Sequence, residues 1–124
     1  GVSTIADLKG KTLGAQIGTT GAFAVEKVAG VKLKEYDEIG LAFEDLVNGR
    51  LAGVVADTPV AADFALQSES YKGKLKIVGK PFTDEYYGIA VQLGNSAVLE
   101  AINRGIDKVV GTAKYAEIEK KWLR

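Results

Sequence analysis

The 124-residue chain has no cysteine, no histidine, only two prolines and no net charge. Without cysteine there is neither a disulfide nor a thiolate to attack a substrate or bind a metal. Without histidine the commonest general base, the commonest zinc ligand and any Ser-His-Asp triad are gone. Only carboxylate or lysine chemistry is left. No paired carboxylates mark neighbouring strand ends, so an enzyme is not expected, and neither is a metal or cofactor. Sixteen Lys and Arg balance sixteen Asp and Glu, so no long-range field draws the chain to nucleic acid or to an anionic membrane. The longest apolar runs fall far short of the ~20 residues that span a bilayer. No secretory leader pattern is present, as is also true of a mature exported chain.

What is present suits one globular domain. Apolar residues make up 47% of the chain, enough for a core, and a chain of this length buries roughly two-thirds of its surface on folding. Its low net charge and apolar content exclude disorder by composition. The opening, Val2 to Lys11, reads as a turn of helix capped by Ser3 or Thr4 and ended by Gly10. Thr12–Ile17 predicts a buried strand and Ala22–Val28 a helix ended by Gly30. Val31–Tyr36 predicts a second strand, and Leu41–Val47 an amphipathic helix closed by Asn48-Gly49. Leu51–Ala56 is wholly apolar and predicts a third, central strand. Asp57-Thr58-Pro59 then caps a helix from Val60 to about Gln67. Leu75–Val78 and Tyr86–Gln92 predict a fourth and a fifth strand. Asn95 and Ser96 cap a helix to about Val110, Gly111 breaks it, and a last amphipathic helix ends at Trp122 and Leu123. The expected fold is therefore α/β: a single lobe with a mostly parallel sheet of four to five strands flanked by helices, plus a C-terminal helical segment. Val54, Val55, Leu13 and Ile77 are its expected core.

In such sheets ligands bind at the carboxyl ends of the strands. Two features fall there. Gly18-Thr19-Thr20-Gly21 joins the first strand to its helix; glycines let the backbone turn, and open N–H groups at a helix start attract an anion. An ordinary capped turn is the competing reading. The segment is neither a P-loop nor a dinucleotide fingerprint. Asp57 follows the apolar strand; it can hold an ammonium by a charge-assisted hydrogen bond, serve as a helix N-cap, or do both. Together, an anion site and a carboxylate at neighbouring strand ends match the two ends of a zwitterionic amino acid. Gln16, at the end of the first strand, either reaches a ligand side chain or is a polar edge residue. With a rim poor in acids, it suggests a polar or basic amino acid, arginine or glutamine first.

A family resemblance rests on five motifs in register: Asp7 to Gly14, Gln16 to Gly21, Asn48-Gly49-Arg50 leading into Val54 to Asp57, Tyr87 to Val91, and Tyr115 to Ile118 with Lys121-Trp122. Across essentially all its length the chain resembles the C-terminal half of a polar-amino-acid ABC-transporter solute-binding protein (family 3, periplasmic binding protein type 2). That family folds as two α/β lobes joined by two hinge strands, with the ligand between them. The resemblance implies that residues 1–83 are most of the second lobe and that residues 84–124 are a hinge strand and helices that pack on the first lobe. It implies that Thr20 binds the ligand's α-carboxylate through its hydroxyl and backbone N–H, with Thr19 and Gly21 beside it. Asp57 would take the α-ammonium, Gln16 would contact the ligand side chain, and Thr83–Tyr87 would form the second hinge crossing. It also implies a periplasmic or membrane-anchored extracellular location and docking of the full-length protein on the transporter's membrane subunits.

The chain departs from the pattern twice. Ala52 stands where the family has an acidic residue, read as the loss of a structural polar contact. No segment matches the first lobe, which in the family supplies an arginine and aromatic residues. An isolated or engineered lobe without ligand function is therefore an alternative reading. A phosphoacceptor receiver domain is another, on Asp57 and Lys80-Pro81-Phe82. Against it, the place of a receiver's acidic pair holds Gln16, and a βα unit is missing between Asp57 and Lys80. The tail also carries an apolar face, from Val98 and Leu99 to Trp122 and Leu123, too large to leave in water. It either folds back on its own lobe or pairs with a second copy, and a homodimer swapping this segment is favoured.

Overall fold

The computed structural model describes residues 2–123. Gly1 and Arg124, which the sequence places at the start of the lobe and the end of the tail, lie outside the described residues. The chain divides into two compact units between Lys80 and Pro81.

The first unit opens with a 3-10 turn, Ile5–Leu8. The Asp7 carboxylate accepts from the backbone N–H groups of Ser3 and Thr4, both at 2.9 Å. Those two bonds hold the Asp7 carboxyl below its usual range. Strand β1, Thr12–Gln16, follows, and its three middle residues are buried. It pairs in parallel with β2, Lys32–Tyr36, from Thr12 opposite Lys32 to Gln16 opposite Tyr36. It also pairs in parallel with β3, Gly53–Val54, at Leu13 and Gly14. The order is β2-β1-β3, so β1 is central and β3 lies at an edge, the reverse of the expectation for residues 51–56. An apolar run reports that both faces of a strand are covered; it does not report lateral neighbours.

Helix α1, Thr20–Glu26, joins β1 to β2, and α2, Ile39–Val47, joins β2 to β3. The two crossovers run in opposite directions along the sheet, so the right-handed rule puts their helices on opposite faces. Gly14 shows how closely α2 approaches. A Cβ there would lie 2.6 Å from Leu51 Cδ1 and 3.2 Å from Ala42 Cβ. Leu13, one residue away, is 1% exposed and points to the other face. The core is made of Leu13, Ala15, Ala22, Val25, Ala42, Phe43, Leu51, Ala62 and Ala65. Fully burying a Leu or Val such as Leu13 or Val25 contributes about 1.5–3 kcal/mol.

Helix α3, Thr58–Ala62, has Pro59 in its first turn and runs straight into a π-helical turn, Asp63–Gln67. One uninterrupted helix was expected from Val60; the wider turn lets the Phe64 ring stack on Phe43 at 4.2 Å between centroids. Across the sheet edge, Asp45 of α2 accepts from Lys34 Nζ at 2.8 Å, Tyr36 OH at 2.7 Å and Arg50 Nη1 at 2.7 Å. These three donors, Lys34 first, hold the Asp45 carboxyl far below the usual carboxylate range. Partial burial, reinforced by the hydrogen bond to Asp45, raises the Tyr36 hydroxyl.

Among the described residues the sheet has three strands, and neither 75–78 nor 86–92 forms one. Both segments are short, largely apolar runs of strand-like composition, but such a run does not record the presence of a paired edge. The edge that these later segments would extend, β3, is only two residues long, and the other edge is β2. The expected core changes accordingly: Leu13 is buried, Val54 and Val55 are half-buried, and Ile77 is 45% exposed.

In the second unit, residues 81–95 carry no helix or strand. Helix α4, Ser96–Val109, starts where Asn95 Oδ1 accepts from the Val98 N–H at 3.2 Å. Helix α5, Ala113–Leu123, starts where Thr112 Oγ1 accepts from the Tyr115 N–H. The Asn95 cap is the one expected from the sequence, and the Thr112 cap follows the break expected at Gly111.

Candidate functional site

The three parallel strands end at one side of the sheet, and the residues that follow them form the candidate site. After β1 the chain turns through Gly18, whose φ of +71° lies in the left-handed region that glycine tolerates. Thr19 closes this turn. Its hydroxyl donates to the Gln16 carbonyl at 2.7 Å and accepts from the Ala22 N–H at 3.2 Å; its N–H also reaches the Gln16 carbonyl, at 3.4 Å. Thr19 is therefore the N-cap of α1, and its polar groups are committed to the turn. Thr20 and Gly21 are the first two residues of the helix, positions whose N–H groups have no intrahelical acceptor. The Thr20 side chain is exposed. The Gly18–Gly21 segment thus splits between Thr19, which builds the turn, and Thr20, which is exposed, with a half-buried Gly21 after it.

Gly21 also fixes the distance to the next strand. A Cβ built on it would lie 3.3 Å from Val55 Cγ1 and 3.4 Å from the Val55 carbonyl oxygen. Val55 extends the β3 ladder, its N–H donating to the Gly14 carbonyl at 2.9 Å. Asp57 follows two residues on, exposed, at the N-cap position of α3. Its backbone carbonyl accepts from the Ala61 N–H at 2.9 Å, while its side chain makes no capping hydrogen bond to α3. The start of α1 and the Asp57 corner are therefore neighbours at the same end of the sheet.

The sequence pattern does not single out the end of β2. There the Asp37 carbonyl accepts from Gln16 Nε2 at 2.9 Å, and Glu38 follows. The rim expected to be poor in acids thus carries Asp37, Glu38 and Asp57, with no Lys or Arg among residues 17–20, 37–40 and 55–58. The signal was available: the strand-end rule applied to β1 and β3 marks Asp37 equally. Ile17 and Phe23, 56% and 50% exposed, flank the loop with apolar surface. Among the described residues no three carboxylates gather as a metal site, and no helix is long and apolar enough to cross a membrane.

No family model matches the sequence. Known proteins do. The ABC transporter glutamine-binding protein GlnH of Bacillus subtilis is 34% identical over 99 residues, 80% of this chain and 35% of that protein. The L-arginine-binding protein of Pseudomonas aeruginosa is 38% identical over 126 residues, 95% of this chain and 48% of that one. Among solved structures, an ancestral arginine-binding protein bound to glutamine superposes with a TM-score of 0.73 at 42% identity, over 98% of this chain and 53% of that one. The chain thus spans between about a third and a half of the length of these proteins. These relatives are binding proteins, not enzymes, and at this identity and coverage the sequence and the fold agree: the chain belongs to the solute-binding proteins of amino-acid ABC transporters.

Proposed function

We propose that this chain is a ligand-binding lobe, with the segment that returns toward a second lobe, of the substrate-binding component of an amino-acid ABC importer. Its ligand is a free L-amino acid, polar or basic, with arginine and glutamine first. In this reading Thr20 and Gly21 receive the α-carboxylate, Thr19 shapes their loop, Asp57 takes the α-ammonium and Gln16 meets the side chain. The observation that carries the reading is the close approach of Gly21 to Val55, where a Cβ on Gly21 would lie 3.3 Å from Val55 Cγ1, which sets the exposed Thr20 and the start of α1 beside the Asp57 corner. The relatives' ligands support it, being glutamine and arginine in the proteins compared. The full-length protein would act outside the cytoplasmic membrane, exported or membrane-anchored, and hand its ligand to the transporter's membrane subunits. Residues 1–83 would be the lobe, and 84–124 the hinge and packing segment.

Calorimetric titration of the two-lobed protein with a panel of amino acids tests the proposal. Asp57→Ala is expected to weaken binding by roughly 2–5 kcal/mol, because closure of the lobes would leave an ammonium buried and unpaired. An unchanged affinity removes Asp57 from the site.

A second proposal concerns assembly. In the second unit Val98, Leu99, Ile106, Tyr115, Ile118 and Trp122 are each 38–53% exposed. We propose that this face pairs with a second copy of the chain by exchange of the C-terminal segment.

A further inference from the structure

The chain reaches Asp57 from a short strand and leaves it into a short helix. On the strand side β3 has two residues, and Val55 adds one more bond to the sheet, its N–H on the Gly14 carbonyl at 2.9 Å. On the helix side the Asp57 carbonyl opens α3 by accepting from the Ala61 N–H at 2.9 Å. α3 is five residues long and runs into the π turn, where the Ser68 N–H reaches the Asp63 carbonyl at 2.8 Å. A helix this short does not hold itself, so packing must hold it. The largest side chain of residues 58–67 is Phe64, and it lies on α2. Its ring stacks on Phe43 with 4.2 Å between centroids and 8° between planes. Its tip faces Gly40, one turn earlier on α2, where a Cβ would lie 3.8 Å from Phe64 Cζ. Tyr71 closes the stack from the other side, at 5.7 Å and 46°. The buried residues of the same segment, Ala62 and Ala65, bring only a methyl group each. α2 is itself seated on the central strand, its Ala42 Cβ 3.2 Å from where a Cβ on Gly14 would be. A chain of contacts thus runs from β1 through α2 and Phe64 to α3, and α3 begins at Asp57.

Resting on the reading of Asp57 as the carboxylate that meets the α-ammonium, we propose that Phe64 is a positioning residue for that contact. Seated among Phe43, Gly40 and Tyr71, it fixes where α3 lies against α2, and so how far Asp57 stands from the start of α1. A charge-assisted hydrogen bond to a carboxylate is made at ~2.7–2.9 Å, and a misplacement of roughly 1 Å at such a contact is costly. The effect of Phe64 falls on the ammonium and not on the carboxylate, because the Thr19–Gly21 turn is held by bonds of its own on α1.

The test is competitive titration of the full-length protein with arginine and glutamine, and with δ-guanidinovalerate and glutaramate, the same molecules without the α-ammonium. The quantity read is the affinity ratio of an amino acid to its analogue, for the wild type, Asp57→Ala, Phe64→Leu and the double variant. For the amino acid that binds tighter, the wild-type ratio is expected to be at least ~30-fold, the lower end of what a buried charge pair is worth. Asp57→Ala brings the ratio toward one. Phe64→Leu keeps an apolar side chain on α2 and lowers the ratio by ~3-fold or more, while the analogue binds nearly as before. The double variant has the ratio of Asp57→Ala alone. A loss of packing without a positioning role would weaken the amino acid and its analogue alike and leave the ratio unmoved. Thermal melting confirms that each variant folds; Tyr71→Leu, which loosens the stack from its other side, is read in the same way and serves where Phe64→Leu does not fold. A wild-type ratio in the folded stack variant, beside a collapsed ratio in Asp57→Ala, overturns the inference and leaves the amino-acid site standing. A folded wild type that binds neither amino acid, or an Asp57→Ala variant with the wild-type ratio, overturns the reading of Asp57 and the inference with it.

Discussion

Gly14 is the residue on which the packing of the first unit turns. Leu51 can move its terminal methyl away from a new Cβ, but the Ala42 Cβ at 3.2 Å is fixed to the backbone of α2. Gly14→Ala is expected to cost roughly 1–3 kcal/mol in urea unfolding, the range for overfilling a packed core. Gly40 in the same helix is the control: its nearest neighbour, at 3.8 Å, is the end of the Phe64 ring. There an alanine fits, so Gly40→Ala is neutral or stabilising by up to about 1 kcal/mol. Asp45 gives a pH signature. Its folded carboxyl titrates well below the ordinary value, so its contribution is fully present above about pH 4 and fades as pH falls through the folded value. The stability gap between wild type and Asp45→Asn should accordingly narrow as pH falls from about 4 to about 2. A gap as wide at pH 3 as at pH 7 would show that the cluster is not charge-dependent. Neither residue was visible in the sequence. Gly14 was only one residue of the expected strand Thr12–Ile17, and Lys34, Tyr36, Asp45 and Arg50 meet only once α2 lies across the sheet edge.

At the scale of elements, the helices were legible and the later strands were not. A helix satisfies its own backbone, so its limits are written in adjacent residues. Asn95 opens α4 and Thr112 opens α5, each through a side-chain oxygen on an N–H three residues on. Asn95→Ala should lower local stability by about 1 kcal/mol, read as faster amide exchange at Val98 and its neighbours. A strand needs a partner that no local pattern supplies. Thr12–Gln16 and Lys32–Tyr36 have one, whereas 75–78 and 86–92 have the apolar composition of strands and form none among the described residues. The same logic separates the site's parts. The Thr-Gly loop and Asp57 were readable because capping and turn chemistry are local. Asp37 entered through a carbonyl that any residue carries, and only the pairing of β1 with β2 brings it to Gln16.

For the whole molecule, the apolar helix face of the second unit makes a mass measurement informative. If that face is exchanged between copies, light scattering after size exclusion should return twice the 13.1 kDa chain mass. Trp122→Glu combined with Ile106→Glu should return the single-chain value. A monomer at every concentration tested would defeat the exchange. This outcome does not bear on the candidate site, whose residues all lie in the first unit.

The strand order also sets a timetable. Leu13 pairs with Leu33, twenty positions along the chain, but with Gly53, forty positions along. Closing the longer loop costs about 0.6 kcal/mol more in chain entropy, and it requires α2 to cross the sheet first. The β1-α1-β2 portion should therefore assemble early, with β3 docking late. In pulse-labelled exchange during refolding, the Lys32 amide, bonded to the Lys11 carbonyl, should gain protection before the Val55 amide, bonded to the Gly14 carbonyl. Asp57 lies two residues beyond Val55, so the Asp57 corner is among the last parts of the lobe to exist. A nascent or partly folded chain would then present the Thr19–Gly21 turn before the Asp57 corner is in place beside it, so the two halves of the candidate site come together only when the lobe is complete.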